Sequence, residues 1–286
     1  MGPSPLTSWT WDPAQLTLIA AAGFLYYRRT TTLARRGTPV ALWRRVVYGL
    51  GLFLSFMAVA SPIHELGEKQ FFFVHMLQHI LLGDLATLCM VAGLTGPILR
   101  PVLAMPAVMR LKFLTHPLVA FPIWAVDLLL WHLPFAYQGA LHHFWVHAIQ
   151  HILFFTCGSL MWAPVLEVLP GPEWFGTGMK LGYIVSVRLV ETVLGNIFLW
   201  SNGAFYHYYR HPYERWGISA HADQGIAGGL MMIEGSIVTL CALAWLFLRW
   251  GRESEQRQQL LEQGVDARVA TRAVRYGRGG ELSGPR

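Results

Sequence analysis

Seven apolar stretches, each close to the length of a membrane-crossing helix, dominate this chain. A hydrocarbon core about 30 Å thick takes roughly 20 residues of helix, fewer when polar ends snorkel. By that rule the candidate spans are 14–28, 45–61, 71–94, 117–134, 144–167, 180–201 and 222–249. Composition agrees: charged residues make up only 13% and hydrophobic ones 54%, where a soluble domain carries about 25% charged residues. Twelve Trp, ten Tyr and sixteen Phe add rings of the kind that gather at membrane interfaces. The expected fold is all-α, a polytopic bundle of seven transmembrane helices over 1–249, with a polar, mobile tail over 250–286. The stretch 98–113, broken by Arg100, Pro101, Pro106 and Arg110, reads as an interfacial or connecting helix. Cys89, Cys157 and Cys241 stand singly in apolar runs, which excludes a disulfide framework and a CxxC metal clip. The first thirteen residues lack the basic start and apolar core of a signal peptide.

Basic residues orient such a bundle. The net charge of +6 comes from clusters beside apolar runs, a pattern of bilayer orientation and not of nucleic-acid binding. Arg28, Arg29, Arg35, Arg36, Arg44 and Arg45 separate spans one and two. Arg100, Arg110 and Lys112 separate three and four, and the tail from Arg249 is Arg-rich. The positive-inside rule then puts the N-terminus outside and the C-terminus in the cytoplasm. Two connections fit less well: Glu167, Glu173 and Lys180 lie between spans five and six, and Arg210 and Arg215 lie in the last outer loop.

On that topology only His116 of the twelve histidines falls on the cytoplasmic side. Their spacing narrows the chemistry. His75/His79 and His147/His151 each place two imidazoles one turn apart on one helix face, near the start of spans that enter from outside. Counting 143/147 and 207/211, the sequence has four such pairs, where chance gives about half of one. Ionisable side chains are costly in a bilayer and normally face a bundle interior, so His75, His79, His147 and His151 are expected as metal ligands. His132 and His221 are candidate further ligands, and His143 a candidate extension of the second pair. His64, His116, His207 and His211 are expected to pack or hydrogen-bond.

Other intramembrane polar groups surround this expectation. Asp223 could orient a metal-bound imidazole, with Gln224 beside it. Met76 and Met231 are candidate thioether ligands, although a membrane Met more often fills a core. Gly225 and Gly229 form a GxxxG pattern suited to close helix packing. Arg188 and Glu191 are expected to pair. Asp127 and Asp84 read as packing or relay groups, Asp84 being turned about 140° from His79 on a regular helix. Imidazole suits Zn, Cu, Fe and Ni, and thioether donors shift the preference toward Cu(I). With no carboxylate on the face of either His pair, copper is the expected metal and zinc the alternative. Haem would need one His on each face of its ring, whereas an i,i+4 pair is placed to chelate one ion.

Several runs together resemble the multi-pass CtaG family of cytochrome c oxidase assembly factors. They are Ser61 to Gly67 leading to His75 and His79, then Trp131-His132-Leu133-Pro134, Ala140-Leu141-His142, the His147–His151 element, and Asp223-Gln224 with Ala227, Gly228 and Met231. The resemblance covers roughly residues 45–250 and departs from the family at Met232, where an aromatic residue is expected. It implies assembly of a caa-type or related haem–copper oxidase through copper handling in a bacterial inner membrane. The partners would be oxidase subunits, the lipid bilayer and a periplasmic copper donor, with copper passed by ligand exchange between imidazoles. A competing class is a membrane-embedded His-box metalloenzyme, a di-metal hydrolase or oxygenase, which His142-His143 beside the second pair would suit. Such an enzyme needs a general base, and Asp223 or Glu234 would have to serve. A channel would need polar residues reaching the inner face, and few are there.

Overall fold

The computed structural model describes residues 7–209, 216–275 and 277–282. His211, Arg210 and Arg215 lie outside the described residues. Among these the chain is helical with no strand. The helices are α1 (Pro13–Arg35), α2 (Leu42–Ala60), α3 (Pro62–Lys69), α4 (Phe72–Gly93), α5 (Gly96–Leu103), α6 (Pro106–Thr115), α7 (Pro117–Trp131), α8 (Pro134–His142), α9 (Phe144–Val165), α10 (Thr177–Trp200), α11 (Ala220–Glu262), α12 (Ala267–Arg275) and α13 (Gly279–Leu282).

Five of these are long and apolar enough to cross a membrane: α2, α4, α9, α10 and α11. The pair α6 and α7, bent by 80°, would make a sixth. The seven expected spans thus correspond to five or six helices that meet the criterion. The first expected span forms α1, a full 23 residues, but its polar run Arg28 to Thr32 dilutes the apolar stretch. The fourth forms α7, whose 15 residues rise only about 22 Å. Outward-facing Leu118, Val126, Ile233, Leu240 and Phe247 are all more than half exposed, a large apolar surface suited to lipid.

Two compact units make up the chain, Met1–Gly171 with Val190–Ile233, and Pro172–Leu189 with Glu234–Arg286. In the first, α2 and α9 both pack along α4. Midway, α4 widens into a π-helical stretch, Leu81–Ala86, and there α9 comes closest. A Cβ on Gly158 would lie 2.0 Å from the Gly83 carbonyl oxygen, so only glycine permits this crossing. Below it Trp162 Nε1–H donates to Asp84 Oδ1 (2.8 Å), which gives Asp84 a packing role between α4 and α9. Gly158→Ala is expected to destabilise the fold by about 3 kcal/mol through overpacking. A lowered unfolding midpoint in detergent would show it, with Gly139→Ala, where the added methyl meets open space, unchanged.

The close approach expected at Gly225 and Gly229 occurs elsewhere. Neither would bring a Cβ within 4 Å of a neighbour, whereas a Cβ on Gly228 would stand 2.7 Å from Gly195 O. The helix face that meets α10 is therefore one residue out of phase with the motif. Met232 sits over Gly195, and Asn196 Nδ2 lies 3.8 Å from its sulfur. The long flexible side chain thus fills the space above a glycine.

In the second unit, the described residues 250–275 and 277–282 are largely helical. The final turns of α11, then α12 and α13, occupy most of them. Leu260 of α11 and the i,i+4 pair Ala270 and Val274 of α12 make a small apolar cluster, which the average charge conceals. The Arg275 guanidinium donates to the carbonyls of Pro172, Glu173 and Phe175. Glu253 accepts from Thr177 Oγ1 and Arg249 Nε (both 2.6 Å). Arg188 donates to Ser236 Oγ (2.9 Å).

Candidate metal centre

The first turns of α4 and α9 bring their histidines together. His75 and His79 Nε2 atoms are 2.8 Å apart. Ring centroids stand 4.2 Å apart for His147 and His151, 5.4 Å for His75 and His147, and 5.7 Å for His79 and His151. One nitrogen from each of His75, His79 and His147 falls within a 4.8 Å envelope. Two nitrogens on one tetrahedral ion, with bonds of about 2.0–2.1 Å, lie roughly 3.3 Å apart. The observed spacings bracket that value, within reach of small side-chain rotations.

Two more imidazoles adjoin the four. His132, the C-cap of α7, lies 6.3 Å from His79 by ring centroids. Its Nδ1–H donates to Leu128 O (2.7 Å), which leaves the lone pair on Nε2. His64, on α3, lies 6.3 Å from His147. All six rings are buried. Within them His79 Nδ1, His132 Nε2, His147 Nε2 and both His151 nitrogens have no hydrogen-bond partner, nor does the side-chain amide of Gln150. Buried polar atoms are almost always satisfied. So many orphaned nitrogens in one cluster fit a bound cation.

A carboxylate reaches the cluster from α3. Glu68 Oε1 is 3.0 Å from His147 Nδ1 and 3.2 Å from His64 Nε2, and Gln78 Nε2 is 3.0 Å from His64 Nδ1. Burial pushes the Glu68 carboxyl up, but the hydrogen bond from His147 and the neighbouring His64 and Lys69 outweigh it and hold it below the ordinary value. Burial lowers His64 despite the pull of Glu68. The sequence reading missed both His64 and Glu68 because it treated 62–69 as a loop. Ser61 capping Ile63 N, followed by Pro62 at the first helical position, was the available signal. It makes His64 and Glu68 an i,i+4 pair. No carboxylate shares a helix face with either His pair, as expected, but this one reaches them from a separate short helix.

Several expected site residues serve the scaffold. Asp223, fully buried, takes the amides of Phe72 and Phe73 on its two oxygens (2.8 Å each). Its influence passes through the N-terminus of α4, which bears His75 and His79, a favourable place for an anion. Gln224 accepts from Phe205 N (2.8 Å) and donates to Ser201 Oγ (2.6 Å), tying down the loop after α10. His221 is exposed and donates to Ser201 O (2.7 Å); the structure does not bring it to the cluster, because its ring caps the end of α10. Met76 belongs to an aromatic core with Phe72, Tyr137 and Phe198, and Met231 packs against it. His142 and His143 are exposed, and His142 faces Tyr208. His116 accepts from Leu118 N at the start of α7, and the exposed His207 has its amide on Gln138 Oε1 (3.3 Å). Tyrosines brace the site: Tyr209 OH donates to Gly67 O (2.8 Å) and accepts from Tyr137 OH (2.8 Å), and Tyr206 OH donates to His132 O (2.7 Å).

Apolar helices of membrane-spanning length around a buried imidazole cluster define a polytopic helical membrane protein with a candidate metal centre. The model of the cytochrome c oxidase caa3 assembly factor family, Caa3_CtaG, matches residues 24–253, and the chain belongs to that family. It is also similar to Uncharacterized protein Mb0105 of Mycobacterium bovis and Uncharacterized protein MT0111 of Mycobacterium tuberculosis. Each is 22% identical over 294 residues, covering 95% of this chain and 42% of the relative. The chain thus spans less than half the length of these curated relatives. No solved structure matches it.

Proposed function

We propose that this cytochrome c oxidase assembly factor binds copper through His75, His79, His147 and His151, with His132 as a further ligand, and passes it to a haem–copper oxidase. In this reading α1 and the bent α6–α7 segment complete seven spans, with the N-terminus outside and the site near the outer face of a bacterial inner membrane. The observation that carries the proposal is the group of buried, unpartnered imidazole nitrogens contributed by α4, α7 and α9. With Met76 and Met231 in the apolar core, the donors are imidazoles, which suit copper and zinc alike. Membership of an oxidase assembly family favours copper. Imidazole donors also permit handover by stepwise ligand exchange to another His-rich site.

Purified protein, loaded with Cu(I) under reducing conditions, is expected to retain copper in a fixed ratio, and the His221→Ala variant to retain the same amount. A strain without the protein should lose oxidase activity and regain part of it with added copper. Wild-type protein that holds no copper above background would defeat the proposal. Glu68 favours a second reading, a His-box metalloenzyme, because it places a carboxylate beside the imidazoles where a general base would be needed. An oxidase defect that added copper does not relieve would favour that reading.

A further inference from the structure

The contacts beside the cluster determine where its protons sit. The Gln78 amide donates to His64 Nδ1, so the His64 hydrogen is on Nε2, the atom that faces Glu68 Oε1. The same oxygen faces His147 Nδ1. A carboxylate accepts and does not donate. Both rings therefore donate to Glu68, His64 through Nε2 and His147 through Nδ1. A neutral imidazole protonated at Nδ1 carries its lone pair on Nε2, and His147 Nε2 is one of the buried nitrogens without a partner.

We infer that Glu68 is a positioning residue of the metal centre: it holds His147 in the Nδ1–H tautomer and so presents Nε2 as the ligand atom. His64, with Gln78 on one side and Glu68 on the other, has neither nitrogen free. It orients the carboxylate and does not ligate. This inference rests on the metal-binding reading above. A carboxylate behind a ligating histidine fixes its ring and raises its basicity, and loss of such a partner typically weakens metal binding 10–100-fold. Glu68 also places a negative charge beside the proposed cation position, where burial makes an uncompensated charge costly. Gly67 keeps α3 close enough for this contact: a Cβ there would stand 2.9 Å from His75 Cα.

Nitrogen-15 NMR of imidazole-labelled, metal-free protein in nanodiscs reads the tautomer directly. Wild type is expected to show His147 protonated at Nδ1. Glu68→Leu should lose that preference, and Glu68→Gln, which keeps an acceptor oxygen, should preserve most of it. In Cu(I) competition titrations Glu68→Leu should bind about 10–100-fold more weakly at unchanged stoichiometry. Glu68→Gln should lose less, and His64→Phe less than His147→Ala. A wild-type His147 protonated at Nε2 would overturn the inference. So would an oxygen ligand from Glu68 in the X-ray absorption spectrum, or Cu(I) affinity within twofold of wild type in Glu68→Leu. Absence of copper binding in wild type alongside the expected tautomer would refute the metal reading and leave the hydrogen-bond assignment standing.

Discussion

Replacing both His75 and His147 by alanine is expected to abolish copper retention while leaving the protein folded. Each substitution takes one imidazole from an i,i+4 pair, so α4 and α9 are each left with a single donor and neither helix can chelate alone. Loss of a carboxylate that only orients a ligating histidine typically costs about 10–100-fold. Two direct ligands should therefore cost more than about 100-fold, read by competition with a Cu(I) chelator. The fold should survive because Glu68 keeps its contact with His64 and the apolar packing of α4 against α9 does not depend on either ring. An unaltered affinity in the double variant, with normal elution and helicity, would place any copper site elsewhere.

Asp223→Ala should lower stability about as much as Gly158→Ala. Two charge-assisted hydrogen bonds to Phe72 N and Phe73 N would be lost in a fully buried setting. Hydrogen bonds to a charged group contribute about 1.5–3 kcal/mol each, and a helix cap about 1 kcal/mol. A loss near 3 kcal/mol is expected, seen as a lower unfolding midpoint in detergent. Copper affinity should fall with it, since His75 lies on the first turn of the released helix. Asp223→Asn retains one acceptor and should fall between. A midpoint unchanged in Asp223→Ala would mean that the α4 terminus is held by its apolar neighbours.

The membrane-protein class was legible because helix length and hydropathy are properties of contiguous residues. The pairs 75/79 and 147/151 were legible for a similar reason, since a spacing of four places two rings on one face whatever the helix packs against. Span counting was less secure at α1 and α7, where charge or proline interrupts the apolar run. The GxxxG pattern misled, because a pattern of small residues does not say which face meets a neighbour, and here Gly228 does. Residues 250–282 read as polar on average because Leu260, Ala270 and Val274 are too sparse to raise the hydropathy; they meet only because the chain turns at Gly264 between α11 and α12.

Sequence alone determined that the chain forms apolar helices and that two of them carry paired imidazoles near their first turns, because both follow from local periodicity. Only the tertiary structure decided that the pairs meet, that His132, His64 and Glu68 join them, and that His221 and both methionines do not. Asp223 and Phe72 are 151 residues apart in the chain. No periodicity predicts such a contact; it exists because a buried helix terminus needs an acceptor and the packing of α11 supplies one.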